Sequence, residues 1–328
     1  MEQTRVSRRG LMQAAAGTAA GAGIAGALAP GAASATTHDR GRRLRAREDL
    51  VPRQSIGIQL YTLRDMLAAD LPAALDMVRD AGYPEVELFQ LHGRTAPELR
   101  ALLEERGLRA IAAHVPITRW RTELDTVLTE AETLGMTFVG LPGIFPAIPS
   151  DVTAYRALAR EMNRFGAAAA DRGLRFYYHN HDWEFARAGG RVLYDVLLDG
   201  TDPDLVFFEL DLYWIVTAGR DPLHYLTRYD QSRWPLFHVK DRTPSSGGQG
   251  GTFADLGEGI IDFARIFREL ENKHYHHFLV ERDTQPDPAR TARVGYEYLR
   301  GLTGRRRRRP ASPSEAGGGG DADAARRT

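Results

Sequence analysis

Four short stretches in the second half of this 328-residue chain concentrate the groups that do acid, base and metal chemistry: His179-Asn180-His181-Asp182-Trp183-Glu184, Glu209-Leu210-Asp211, His238-Val239-Lys240-Asp241 and Glu281-Arg282-Asp283. Within each, reactive side chains stand two residues apart, the spacing that puts them on one face of an extended strand. Singly, such residues more often serve structural ion pairs; four sets at one level define a site. Imidazole and carboxylate in an oxygen-rich setting suit one divalent metal ion, Mn2+, Mg2+, Zn2+ or Co2+. The absence of cysteine excludes thiolate metal sites, disulfide frameworks and cysteine nucleophiles together. Lys240 carries extra weight, because it and Lys273 are the only lysines among 43 basic residues. The competing role for a strand-end lysine is to snorkel into solvent.

These groups need a scaffold that brings several strand ends to one rim. Short β-branched and aromatic runs predict eight strands, at Ile56–Tyr61, Val86–Phe89, Arg109–His114, Phe138–Leu141, Arg175–His179, Leu205–Asp211, Leu236–Lys240 and Phe278–Glu281. Amphipathic stretches between them predict helices at Leu71–Ala81, Ala96–Arg106, Leu124–Leu134, Ala154–Arg172, Ile261–Leu270 and Ala289–Leu299. Several of these are followed by a glycine of the C-capping type: Gly82, Gly107, Gly135 and Gly173. The alternation runs from about Gln54 to Thr303, close to the roughly 250 residues of a single (β/α)8 TIM barrel in the α/β class. Gly57 stands alone in the first strand, so no dinucleotide-binding glycine loop favours an open doubly wound sheet. In a barrel the reactive groups lie at the C-terminal strand ends. The four stretches therefore share a mouth with Gln59, Tyr61, Glu87, His114 and the Leu141-Pro142-Gly143 turn of the earlier strands. Trp183 and Trp214 serve there as a stacking wall for a sugar ring or as plugs beneath loops.

Outside the barrel, residues 1–35 combine Arg5, Arg8 and Arg9 with a weakly apolar Ala/Gly stretch and end at Ala33-Ser34-Ala35, the small-x-small form of a signal peptidase site. Ser7-Arg8-Arg9-Gly10-Leu11-Met12 resembles a twin-arginine motif, which predicts export as a folded protein to the periplasm or exterior. Leu11 to Pro30 is too weakly apolar to hold as a transmembrane anchor, so no stable membrane attachment is expected after cleavage. Residues 36–53 read as a linker and 304–328, with five consecutive arginines and four consecutive glycines, as a disordered tail. Lys+Arg 43 balance Asp+Glu 43, and loss of three arginines and one glutamate with the signal leaves a net charge of −2. Such a chain supplies no basic field for nucleic acid.

As an ordered set, several motifs resemble the xylose isomerase-like barrel superfamily, often named sugar phosphate isomerases/epimerases. They are Gly57-Ile58-Gln59-Leu60-Tyr61-Thr62-Leu63-Arg64-Asp65, Tyr178-His179-Asn180-His181-Asp182-Trp183-Glu184-Phe185, Glu209-Leu210-Asp211-Leu212-Tyr213-Trp214 with Ala218-Gly219 and Asp221-Pro222, His238-Val239-Lys240-Asp241, Leu256-Gly257-Glu258-Gly259 and Val280-Glu281-Arg282-Asp283. The resemblance implies one divalent ion held by a residue from each of strands five to eight, with a sugar chelated to it. By position it implies Asp211, His238 and Glu281 as ligands. His179 stands where the epimerase members carry a glutamate that is both ligand and base, so their two-carboxylate mechanism requires Glu184 to reach back into the site.

The expected activity is that of an exported sugar isomerase/epimerase, taking a proton next to the chelated carbonyl or hydroxyl to give an enediolate. Glu281, Lys240 and His179 are the candidate catalytic groups. His179, Asp211, His238 and Glu281 are the candidate ligands. Gln59, Tyr61, Glu87, His114, His181, Glu184, Trp183 and Trp214 are the candidate contacts to a small-molecule sugar or glycoside. The alternatives are a lyase or dehydratase acting on 3-keto sugars or glycosides, and a sugar-binding barrel without catalysis.

Overall fold

The computed structural model describes residues 47–144, 149–244 and 251–305. The expected signal segment, the expected linker up to residue 46 and the expected tail from residue 306 lie outside the described residues. Eight parallel strands form the barrel: β1 Ile56–Gln59, β2 Glu85–Leu88, β3 Arg109–Ala113, β4 Phe138–Leu141, β5 Arg175–His179, β6 Val206–Asp211, β7 Leu236–Val239 and β8 His277–Val280. Seven ladders run continuously from β3 through β2, β1, β8, β7, β6 and β5 to β4. The remaining seam, β3 against β4, is joined by a bridge between His114 and Gly140 and by the Val115 amide donating to the Gly140 carbonyl at 2.8 Å. Gly140 is required there by close approach, because a Cβ would run into the Tyr177 carbonyl of β5.

Every expected strand is present, though several end one or two residues short of the expectation. The chain turns out of the sheet as soon as polar side chains can bond its backbone. Gln59 accepts from the Tyr61 amide at 3.0 Å, and Asp211 from the Trp214 amide at 2.9 Å. The second contact caps a short helix, Leu212–Thr217, formed from an apolar run that would otherwise extend the strand.

The outer layer includes α1 Leu71–Ala81, α2 Ala96–Glu104, α3 Leu124–Leu134, α4 Val152–Ala170, α5 Leu193–Gly200, α6 Pro222–Arg228, α7 Phe263–Phe267 and α8 Pro288–Gly301. Gly82, Gly107, Gly135 and Gly173 all take positive φ, as expected of residues that end helices. The main core fills the space between sheet and helices. A smaller cluster of Ile111, Ala112, Phe138, Tyr177, Leu236 and Leu279 packs inside the barrel beneath the mouth.

The folded body is longer than 54–303. Arg47–Asp49 pairs antiparallel with Thr303–Arg305, and Leu50 and Val51 are buried. The expectation of a linker up to residue 53 and a tail from 304 is corrected accordingly: the apolar pair after Asp49 docks on the barrel and carries its flanking residues into a ribbon. No described helix is long and apolar enough to cross a membrane.

Candidate metal centre at the barrel mouth

Parallel register sets the site. His179 on β5 lies beside Glu209 on β6, and Asp211 beside His238 on β7. Laterally paired residues of parallel strands point the same way, so these four side chains converge. Glu209 is fully buried and faces three imidazoles: His114 Nε2 at 2.8 Å, His179 Nδ1 at 3.1 Å and His238 Nε2 at 3.1 Å. Glu87, also fully buried, takes a second contact from His238 Nε2 at 2.6 Å and a hydrogen bond donated by the Tyr177 hydroxyl.

These contacts fix the outward nitrogens. With Nδ1 of His179 on Glu209, its Nε2 is aimed at Asp211 Oδ2, 3.6 Å away. With Nε2 of His238 on Glu87 and Glu209, its Nδ1 lies 3.8 Å from Asp211 Oδ2 and 2.8 Å from Glu281 Oε2. Asp211, His238 and Glu281 thus present one donor atom each within 4.8 Å of one another. His238 Nδ1 and Asp211 Oδ2 are buried with no hydrogen bond of acceptable direction, and Glu281 Oε2 and Lys240 Nζ stand close to them, an arrangement of donors that suits a cation. Carboxylates on the far nitrogens of both histidines are the outer partners that metal-binding imidazoles require. The donor set of Asp211, His238 and Glu281 therefore fits a divalent cation, with His179 Nε2 beside it, 3.6 Å from Asp211 Oδ2. A second grouping, His114, His179, Glu209 and His238, also converges. Its centre is Glu209, already engaged by three imidazoles, so this grouping orients the other.

The electrostatics agree. Burial disfavours the charge on Lys240, but Asp211 at 2.9 Å, Glu281 at 2.6 Å and Asp283 at 3.0 Å overcome it and push the ammonium pKa well above its usual value. Burial likewise opposes protonation of His238, and Glu209, Glu281 and Glu87 reverse the effect and raise it well above normal. His179 goes the other way, since burial and then the neighbouring His238 push it well below the ordinary range. Burial raises Asp211 to about 6 against the pull of Lys240. Carboxylates outnumber fixed cations here, and protons held on His238 and Lys240 make up the difference.

Above the donors opens a basin of about 490 Å3 lined by Tyr61, Arg64, Phe89, His114, Pro142, His179, His181, Lys240, Glu281, Asp283 and others. Tyr61, His114 and His181 are thus where a substrate contact needs them. Gln59 and Glu87 are not, because both are fully buried beneath the floor; Gln59 reaches His114 Nδ1 at 3.4 Å instead. Glu184 does not reach back into the site. It is fully buried, accepts from the Tyr178 hydroxyl at 2.6 Å and the His181 amide at 2.8 Å, and is raised by burial to about 7. Trp183 stacks on His181 at 4.1 Å between ring centroids, and Trp214 packs on the same imidazole at 5.3 Å, so both back His181 rather than line the basin.

Three residues join the site that lie within the reactive stretches of the sequence but are assigned no role there. Glu209 is the first, and its place two residues before Asp211 is the signal that marks it. Asp283 is the second, two residues after Glu281 and in contact with Lys240. Asn180 is the third: its carboxamide accepts from the Asp211 amide at 3.1 Å and holds the edge of the ligand strand. Asp241 organises the Leu256-Gly257-Glu258-Gly259 turn, accepting from the amides of Gly257 and Gly259 at 3.0 Å each.

An eight-stranded α/β barrel whose C-terminal strand ends converge on a cation-binding donor set is the architecture of a metal-assisted enzyme barrel. The chain belongs to the xylose isomerase-like TIM barrel family, which it matches over residues 75–302. It is 32% identical over 148 residues to an inosose dehydratase of Clostridium perfringens, a match covering 41% of this chain and 48% of that protein. The chain therefore spans about half the length of that curated relative. Among solved structures it is similar to a sugar phosphate isomerase/epimerase from Parabacteroides distasonis, with TM-score 0.64, 23% identity, and 78% of this chain and 97% of that one covered. A xylose isomerase-like barrel protein from Mycobacterium smegmatis in complex with magnesium matches with TM-score 0.60 and 16% identity over 76% of this chain and 96% of that one.

Proposed function

We propose that this protein is a divalent-metal-dependent lyase that removes a proton beside the ketone of a polyhydroxylated ring and expels the substituent on the next carbon. The observation that carries this reading is the asymmetry of the basin. Glu281 and Asp283 stand on one side with Lys240, whereas the strand-five position that a two-carboxylate epimerase needs is an imidazole, and Glu184 is turned away. The dehydratase name of the Clostridium perfringens relative supports elimination. The isomerase/epimerase name belongs to a structure whose likeness carries the fold alone.

A dication held by His179, Asp211, His238 and Glu281 would polarise the ketone and make the adjacent C–H acidic. The chain's own groups supply the rest. Lys240, held as the ammonium by Asp211, Glu281 and Asp283 at the basin wall, is placed to give a proton to the departing oxygen, and Asp283, whose Oδ1 lies 3.0 Å from Nζ on the same wall, to take the proton from carbon. Glu209 and Glu87 hold the two imidazoles in the rotation and tautomer that ligation needs. The step is balanced without an oxidant: a C–H and a β C–O bond break, a C=C forms beside the ketone, and the departing oxygen leaves with the electron pair and gains a proton. The ketone itself must come from a prior oxidation of a ring hydroxyl. Residues 1–35 support export of the folded enzyme, which favours free sugars or glycosides over phosphorylated substrates.

The test is incubation with a keto-inositol, free keto-sugars and 3-keto-glycosides in D2O, followed by NMR with and without added Mn2+, Mg2+, Zn2+ or Co2+. Loss of water or of an aglycone is the expected result. Deuterium uptake with no elimination would replace the lyase reading by isomerase or epimerase. Metal-free protein after purification and no binding of any of the four ions would leave a non-catalytic barrel.

A further inference from the structure

Beside the polar basin lies a second cavity of about 470 Å3, and its chemistry is different. It runs between the barrel wall and α3, and its depth is formed by Leu88, Val115, Val127, Ala131, Leu134 and Met136. All six are buried. Its polar groups stand at the rim. Arg119 holds Glu130 with two parallel contacts at 3.0 and 3.1 Å and Glu123 at 2.8 Å, so the guanidinium is already engaged. The depth of the chamber therefore offers almost nothing to a hydroxylated ring. An apolar space of this size gains instead from an apolar occupant, and it lies within the range of small-ligand sites.

The chamber does not stand alone. Phe89, His114 and Pro116 line both it and the basin, so the two spaces meet at a shared wall. A ring seated at the strand ends would send a substituent past these three residues into the chamber. We infer that the chamber is an aglycone subsite, and that the substrate is a glycoside pairing a polar keto-sugar ring with an apolar, aromatic-sized leaving group. The inference deepens the elimination reading and rests on it for the bond that is broken. The expelled group is an alcohol or phenol, leaving with the electron pair of the glycosidic C–O bond.

Two measurements separate the subsite from the reaction. In calorimetric titration of the full chain, 4-methylphenol alone should bind the wild type, and Ala131→Leu, which fills the chamber from α3, should weaken binding about tenfold or more, the loss of roughly 1.4 kcal/mol. Should the variant fail to fold, intermolecular NOEs in the wild type from 4-methylphenol to the methyl groups of Val127, Ala131 and Leu134 locate the ligand in the chamber directly. In turnover, Ala131→Leu should raise KM for a phenyl 3-keto-glucoside while leaving the methyl 3-keto-glucoside unchanged. No binding of 4-methylphenol, or NOEs confined to other parts of the surface, would overturn the subsite and leave the elimination reading intact. Binding in the chamber with no turnover of any keto-glycoside would retain an apolar subsite and overturn elimination. Equal KM changes for both glycosides would overturn the aglycone assignment.

Discussion

The buried Glu209 gives a graded test of how the metal donors are held. Its two oxygens serve three imidazoles, with His114 and His179 on Oε2 and His238 nearest Oε1. A glutamine has the same shape but one donor in place of an acceptor. Placed with its oxygen at the Oε2 position, it keeps His114 and His179 and sets an NH2 against His238 alone, which still has Glu87 Oε2 at 2.6 Å. The opposite placement would disturb two imidazoles and is the costlier one. Loss of an outer partner of a metal-binding imidazole weakens metal affinity by about 10- to 100-fold, or roughly 1.4 to 2.7 kcal/mol. Glu209→Leu, which removes the acceptor shared by His114 and His179 as well as the contact to His238, should approach a hundredfold, and Glu209→Gln, which compromises only the last of these, should fall near tenfold. The assay is competition of Mn2+ or Co2+ between protein and a chelator of known affinity, with thermal melts of both variants in the metal-free state. If both variants bind the ion within about twofold of wild type, or if glutamine costs more than leucine, the orienting role of Glu209 is wrong. If the wild type itself binds no ion, the donor set is misassigned.

Lys240→Met should retain the metal and lower kcat by about a hundredfold, the size of a lost proton-transfer or electrostatic contribution. Metal titration and steady-state kinetics on one preparation check it, and an unchanged kcat would remove Lys240 from the chemistry. His276, away from the site, donates from Nδ1 to the Trp234 carbonyl at 2.8 Å and is lowered by burial to about 4. The unfolded chain, titrating near 6.5, binds that proton more tightly. Stability is thus full above about pH 6.5 and falls by up to about 3 kcal/mol as the pH drops towards 4. Denaturant midpoints of wild type and His276→Gln across that window should diverge, with the variant showing the shallower decline; parallel curves would rule the effect out. Replacing Arg8 and Arg9 together by lysine should leave the protein in the cytoplasm, and N-terminal sequencing of exported wild type should begin at Thr36. Undiminished export of the double variant would exclude the twin-arginine route.

The barrel was legible because its strands are short apolar runs that differ in period from the helices around them, as in Phe138–Leu141 and Arg175–His179, where expected and observed bounds coincide. Two helices absent from the sequence pattern, Leu193–Gly200 and Pro222–Arg228, are eight and seven residues long, too short for a 3.6-residue period to declare itself. Alternation tells which face a residue occupies and not its depth along the barrel axis. For that reason Glu87 and Gln59 were expected on the wall and lie under the floor. Glu184 shows a different limit: six residues after Tyr178 it folds back on that hydroxyl through a tight turn, a contact that strand parity does not encode. Glu209 was visible as a residue but not as an organiser, because its importance comes from three histidines on three other strands or strand ends.

The ribbon of Arg47–Asp49 and Thr303–Arg305 joins the sequence extremes of the described barrel into neighbours, reinforced by the Leu50 amide donating to the Leu302 carbonyl at 3.0 Å and Lys273 pairing with Glu48 at 2.8 Å. One segment leads into β1 and the other follows α8, which places the ribbon at the closed end, away from the mouth. The barrel is thereby topologically close to a circle. A permuted gene that links Arg305 to Arg47 through a short turn and opens the chain at Gly107, a glycine with positive φ before β3, would keep all eight strands and every donor in place. Cargo fused directly at Arg47 or Arg305, or at the new ends, would hang from the base of the barrel and leave substrate access free.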